Sequence, residues 1–177
     1  MTPEEISRIS TVDKWFVDKI NNVVNVERKL LENPDPSEKL LILEAKKKGF
    51  SDKQLSLYFD KDESELRKIR INHGILPRTK QIDTLAAEWP AQTNYLYVTY
   101  DRSLDDVTYS NNKKLIVLGA GTYRIGSSVE FDWSTMNMVW ALKERGYDII
   151  VVNCNPETVS TDYDMSDILY FEEITLE

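Results

Sequence analysis

The stretch Lys114-Leu115-Ile116-Val117-Leu118-Gly119-Ala120-Gly121-Thr122-Tyr123-Arg124-Ile125-Gly126-Ser127 sets the reading of this chain. Its short apolar run has the length and content of a strand covered on both faces. A glycine-rich turn follows at once. Ser127 and Glu130 stand three apart, the spacing of a capping box, and predict a helix that reaches Arg145 and stops at Gly146. Asp148-Ile149-Ile150-Val151-Val152 then repeats the short apolar pattern. Strand, helix and strand in this order predict a parallel pair joined by a right-handed crossover.

A glycine turn between strand and helix points to phosphate held at the helix N-terminus. The spacing works against both standard forms. A dinucleotide fingerprint would place its third glycine at position 124, where Arg124 stands, and an acidic residue near position 153, where Asn153 stands. A phosphate loop fits Gly121 to Gly126, but Ser127 replaces its lysine. A tight turn that only lets helix and sheet pack closely is the competing reading. The loop Asn153-Cys154-Asn155-Pro156-Glu157-Thr158-Val159-Ser160-Thr161-Asp162-Tyr163-Asp164 leaves the carboxyl end of the second strand. Open α/β sheets keep their sites there, and such polar side chains can also simply brace a long loop. Ile168-Leu169-Tyr170-Phe171 reads as a short third strand.

Towards the N-terminus the period changes. Thr2-Pro3-Glu4-Glu5 opens a helix with a capping box and proline in the first turn. A longer helix spans about 12–31, with Val12, Phe16, Ile20, Val23, Val26 and Leu30 recurring every three or four residues. Asn33-Pro34-Asp35-Pro36 stops it; a third helix runs over 38–48, and Ser51-Asp52-Lys53-Gln54 and Asp60-Lys61-Asp62-Glu63 start two more, the last ending at Gly74. The expected fold class is α + α/β. It comprises an all-helical domain over 1–100, a polar linker over 101–112, and over 113–177 a Rossmann-like parallel βαβ unit that is cut short at its C-terminus.

With 41% hydrophobic and 10% aromatic residues, the 177-residue chain reads as globular. No apolar run of 18 residues exists, so no membrane partner is expected. The first residues lack the basic and apolar regions of a signal peptide. A single cysteine, Cys154, excludes an internal disulfide or multi-thiolate metal site and fits a reducing cytoplasm. The single histidine, His73, would have to serve any His-based triad, yet it sits at a predicted helix end, where an imidazolium suits the dipole. The net charge of −8 argues against a nucleic-acid partner. Residues 1–109 carry 17 basic and 19 acidic side chains, and 110–177 carry 5 and 11, an asymmetry that agrees with two parts.

Five strings in the chain resemble those of one family. Residues 118–133, opening with Leu118-Gly119-Ala120-Gly121-Thr122-Tyr123-Arg124, and residues 152–164 resemble the start of the second synthetase half of the carbamoyl-phosphate synthetase large chain. Lys80-Gln81-Ile82-Asp83-Thr84-Leu85-Ala86-Ala87-Glu88-Trp89-Pro90 and Asn94-Tyr95-Leu96-Tyr97-Val98-Thr99-Tyr100 resemble the end of the helical domain between its halves, and Val12-Asp13-Lys14-Trp15-Phe16 that domain's beginning. The wording of 80–133 most resembles the eukaryotic pyrimidine-pathway form fused to aspartate transcarbamoylase, with the arginine or urea-cycle form second.

The resemblance implies a pre-ATP-grasp α/β unit after a helical oligomerisation domain. It also implies a whole enzyme that makes carbamoyl phosphate from bicarbonate, ammonia or glutamine, and two ATP with Mg or Mn. By resemblance, Arg124, Ser128 and Glu130 line a carbamate tunnel; bacterial relatives tend to have glycine where Ser128 stands. The chain ends before any ATP-grasp core, so no catalytic residue, cofactor or metal site is expected within it, and by itself it should be inert. Its expected partners are the rest of the synthetase, a glutaminase part and further copies of itself. The location is cytoplasmic, or mitochondrial for the urea-cycle form. A helix-turn-helix over 38–72 is a rival, weakened by the acidic run Asp60-Lys61-Asp62-Glu63-Ser64-Glu65 where bases would be read. A free-standing nucleotide-binding regulator is another. A bare sheet face around Leu115, Val117, Ile150 and Val152 is also expected.

Overall fold

Thr2 opens the first helix, α1 (Pro3–Ser10), with a full capping box: Glu5 N donates to Thr2 Oγ1 and Thr2 N to Glu5 Oε2. The computed structural model describes residues 1–91, 94–121 and 129–177 and divides into two units, 1–76 (with Glu177) and 77–176. In the first unit α2 (Lys14–Glu32), α3 (Lys39–Lys47), α4 (Asp52–Tyr58) and α5 (Glu63–Asn72) follow α1. Asp13, Ser51 and Asp62 each cap the next helix through a side-chain oxygen, which satisfies N–H groups that the first turn leaves open. His73 takes the C-cap position of α5. Leu30, Ile42, Ala45, Leu55 and Leu66 are fully buried and form the centre of this unit.

The apolar stripe read along α2 is only half used. Val26 and Leu30 are buried, whereas Val12, Phe16, Ile20 and Val23 are exposed and Val17 is buried in their place. The partners explain this. Glu27 and Lys29, in the second half of α2, meet Tyr58 and Glu44, whereas the first half has α1 beside it, a helix that buries no residue of its own.

The second unit is built on a five-stranded sheet in the order β1 (Arg78–Gln81), β2 (Tyr95–Thr99), β5 (Ile168–Tyr170), β4 (Asp148–Val152), β3 (Lys114–Leu118). β1 and β2 are antiparallel, and the other pairings are parallel. Helix α6 (Val129–Lys143) connects β3 to β4. β3, β4 and β5 lie where the sequence placed them, but β1 and β2 fall in the stretch assigned to the helical half. The boundary expected near residue 100 therefore lies between Leu76 and Pro77. Tyr95-Leu96-Tyr97-Val98-Thr99 carries the aromatic and β-branched content of a strand; β1, Arg-Thr-Lys-Gln, is polar and becomes a strand only by pairing with it.

Residues 101–112 are likewise not a free linker. Asp105 Oδ1 accepts from Thr79 N at 2.7 Å, Asp106 N donates to Thr79 O at 2.9 Å, and Asn112 Nδ2 donates to Asp148 Oδ1 at 3.1 Å. The stretch is laid along β1 and fastened to the start of β4.

Met136 and Val139 of α6 pack on Val117, Ile149, Val151 and Leu169, with Leu115, Tyr95 and Leu142 beside them. Each such buried side chain contributes about 1.5–3 kcal/mol. The register pairs Leu115 with Ile149 and Ile116 with Ile150. Leu115 and Val117 therefore face α6, while Ile116 and Leu118, 63% and 59% exposed, lie on the opposite face with Ile150 and Val152. The bare face expected from the sequence mixed residues of both sides, since parallel partners share a face and neighbours along a strand do not.

Candidate functional site

The carboxyl ends of β3 and β4 carry the two loops singled out in the sequence. Gly119 N donates to Val152 O at 2.9 Å, which brings the first loop against the second strand. Side-chain atoms of Asn153 then fill the space beside Gly119. A Cβ at that position would lie 2.5 Å from Asn153 Cγ. Glycine is required here by contact.

Asn153 is 1% exposed and turned inwards. Its Oδ1 accepts from Gly121 N and Asn155 N, both at 3.2 Å. Its Nδ2 donates to Thr158 Oγ1 at 3.3 Å and to Ser160 Oγ at 3.1 Å. These four bonds use both donors and both lone pairs of the amide. The position that would hold a ribose in a dinucleotide site is thus consumed inside the protein, and the nucleotide-regulator reading loses its anchor.

The rest of the loop is braced in the same way. Thr158 Oγ1 and Thr161 Oγ1 both donate to Asn155 O at 2.9 Å, and Glu157 N donates to Asn155 Oδ1 at 3.1 Å. Thr158, Ser160 and Thr161 are buried, while Pro156, Glu157 and Tyr163 stay exposed. The two readings of this loop, bracing and site-forming, therefore divide by residue: the hydroxyls and amides hold the shape and the rim faces outwards.

Glu130, named from the resemblance, is exposed in the first turn of α6, at the same end of the sheet. Arg124, Ser128 and the Ser127 end of the predicted capping box lie outside the described residues. A further residue escaped the sequence reading. Asp132, 4% exposed, accepts from Ser160 N through Oδ2 at 3.0 Å, and its Oδ1 has no hydrogen-bond partner among the described residues. An acid in the first turn of a helix reads as a solvated dipole partner, so nothing in the local sequence shows that it is buried.

The first turn of α5, where a recognition helix would meet DNA, is capped by Asp62 and carries Glu63 and Glu65. Phosphates would be repelled there. Among the described residues no group of three or more His, Cys, Asp or Glu is arranged to hold a metal, and no helix is long and apolar enough to cross a membrane.

The α/β unit is of the pre-ATP-grasp class: residues 111–177 match the family model described as the carbamoyl phosphate synthase preATP-grasp domain. Residues 1–74 match the carbamoyl-phosphate synthetase large chain, oligomerisation domain. The chain belongs to the carbamoyl-phosphate synthetase large-chain family. It is 48% identical to multifunctional protein pyr-3 of Neurospora crassa, over 99% of this chain and 10% of that protein. It is 49% identical to the arginine-specific large chain of carbamoyl phosphate synthase from Eremothecium gossypii, over 98% of this chain and 16% of that one. To the human mitochondrial carbamoyl-phosphate synthase [ammonia] it is 48% identical, over all of this chain and 12% of that one. The chain thus spans about a tenth to a sixth of the length of these relatives.

Proposed function

We propose that this chain works within a whole carbamoyl-phosphate synthetase, which forms carbamoyl phosphate from bicarbonate, ammonia or glutamine, and two ATP with Mg or Mn. The observation that carries this reading is near-50% identity along essentially the entire chain, with both family domains in order. The helical unit serves in contacts between copies, a role supported by the exposed Phe16, Ile20 and Val23 of α2. The α/β unit leads the second synthetase half, and its strand-end loops border the passage through which carbamate arrives. Arg124, Ser128 and Glu130 form part of that wall; the exposed position of Glu130 supports its share of the assignment. The wording of residues 80–133 favours the pyrimidine-pathway form, acting in the cytoplasm. The glutaminase part is the partner that supplies ammonia.

The full-length enzyme tests this. It should hydrolyse ATP in a bicarbonate-dependent manner and form carbamoyl phosphate. Glu130→Gln should lower overall synthesis and leave both half-reactions running: bicarbonate-dependent ATP hydrolysis, and ATP formation from carbamoyl phosphate and ADP. A wild-type enzyme with no bicarbonate-dependent hydrolysis would overturn the activity, and unchanged synthesis in the variant would remove Glu130 from the wall.

A further inference from the structure

The buried polar knot behind the strand-end loops has a direction. Gly121 N is held by Asn153, Asn153 holds Ser160 through its hydroxyl, and Ser160 N is held by Asp132. Asn153 and Ser160 are at most 1% exposed, and Asp132 is 4% exposed. Every member beyond Gly121 therefore sits where water does not compete, and a lost bond there is not replaced by solvent. The chain of bonds starts in the glycine loop, crosses the second loop and ends on the first turn of α6. Glu130 stands two residues before Asp132 on that turn, exposed where Asp132 is buried.

We infer that Asp132 is a positioning residue. By accepting from Ser160 N, its carboxylate fixes the first turn of α6 against the second loop, and so fixes where Glu130 presents its side chain. This rests on the reading that Glu130 borders the carbamate passage. Oδ1, which has no partner among the described residues, makes the inference separable from charge. An asparagine can keep Ser160 N on its carbonyl oxygen and place its NH2 where Oδ1 lay, so Asp132→Asn retains the tie, whereas Asp132→Ala removes it.

The test uses the full-length enzyme and four proteins: wild type, Asp132→Ala, Asp132→Asn and Glu130→Gln. Misplacing a positioned group by about 1 Å can cost up to about 100-fold. Asp132→Ala is expected to lower carbamoyl phosphate formation about tenfold with both half-reactions within about twofold of wild type. Asp132→Asn should restore synthesis. Hydrogen exchange should find the Ser160 amide protected in wild type and Asp132→Asn and faster in Asp132→Ala. If Glu130→Gln uncouples synthesis and folded Asp132→Ala does not, the inference fails while the passage reading stands. If neither uncouples, both fail. Should Asp132→Ala not fold, a Ser160 amide that exchanges like an open loop in wild type would overturn the inference alone.

Discussion

Arg70 closes on Asp52 with three hydrogen bonds: Nε to Oδ1 at 2.9 Å, Nε to Oδ2 at 3.0 Å and Nη2 to Oδ2 at 2.8 Å, with both residues buried. Arg70 Nη1 also donates to Ile75 O at 2.8 Å, and Lys46 Nζ lies 3.2 Å from Asp52 Oδ1 and donates to Phe50 O at 2.7 Å. Charged side chains from α3, α4 and α5 are thereby tied at one point inside the helical unit.

Removing Arg70 strips the buried Asp52 of its three-bond partner and leaves it with Lys46. Such losses cost about 3–5 kcal/mol, so Arg70→Ala should lower the unfolding free energy of the helical unit by that order in urea titrations. Burial pushes the Asp52 carboxyl up, but Arg70 and Lys46 outweigh it and its pKa is held below the ordinary 3.8. A depressed carboxylate pKa gives stability that is present above the unfolded value and is lost as pH falls through the folded one. Acid unfolding followed by dichroism should therefore show the helical unit weakening below about pH 4, with a flatter slope in Asp52→Asn.

Gly119→Ala should destabilise the α/β unit by about 1–3 kcal/mol, because the new Cβ would meet Asn153 at 2.5 Å. The second variant, Asn153→Gly, removes Cγ, Nδ2 and Cβ, which lie 2.5, 2.6 and 2.7 Å from the added atom. The double variant should consequently be less destabilised than the two single costs added together. Additive costs in thermal or urea unfolding would mean that the loop moves aside.

Tyr170 is held protonated to unusually high pH. Burial is the main cause; the neighbouring Tyr109 adds to it and Thr79 opposes it, and the pKa is pushed up to about 12. A raised pKa gives stability that is complete below the unfolded value and is lost as pH rises through the folded one. The α/β unit should lose stability between about pH 10 and about pH 12. In Tyr170→Phe this loss should shrink, and the last step of the ultraviolet tyrosine titration should disappear.

Phe16, Ile20 and Val23 on α2 offer one apolar surface, and Trp133 and Trp140, edge to face on α6, another. Exposed patches of this kind pair with available partners. Sedimentation equilibrium of this 177-residue chain at tens of micromolar should give a mass above the 20.6 kDa monomer. Ile20→Lys should lower it if copies meet through α2, and Trp133→Lys if they meet through α6. A monomer in wild type would remove the association.

Much of the fold was written locally. Thr2, Ser51 and Asp62 announce helix starts because a cap needs only its own next turn. The strands Lys114–Leu118 and Asp148–Val152 come out with the expected limits, since an apolar run of five between turn signals has few other uses. The carbamoyl-phosphate synthetase family was legible too, because long strings around Gly119 and Asn153 carry it residue by residue. β1 was not legible. Arg78-Thr79-Lys80-Gln81 has no strand signal of its own and exists by pairing with Tyr95–Thr99.

The roles of the polar residues were decided only by tertiary structure. Asp52 and Asp132 each stand in the first turn of a helix, and by sequence they are interchangeable with the exposed Glu4 and Glu65. Packing buries Asp52 against Arg70 and Asp132 against the Ser160 amide, where an unpaired charge would be costly and a paired one fixes geometry. Asn153 shows the same division. The sequence determined that no acid stands at the end of β4, and hence that the dinucleotide reading fails. That its amide instead joins two loops depends on Gly121, Asn155, Thr158 and Ser160 arriving around it. Residues up to 32 apart meet there because the sheet register brings the two strand ends side by side, and no local pattern records such a meeting.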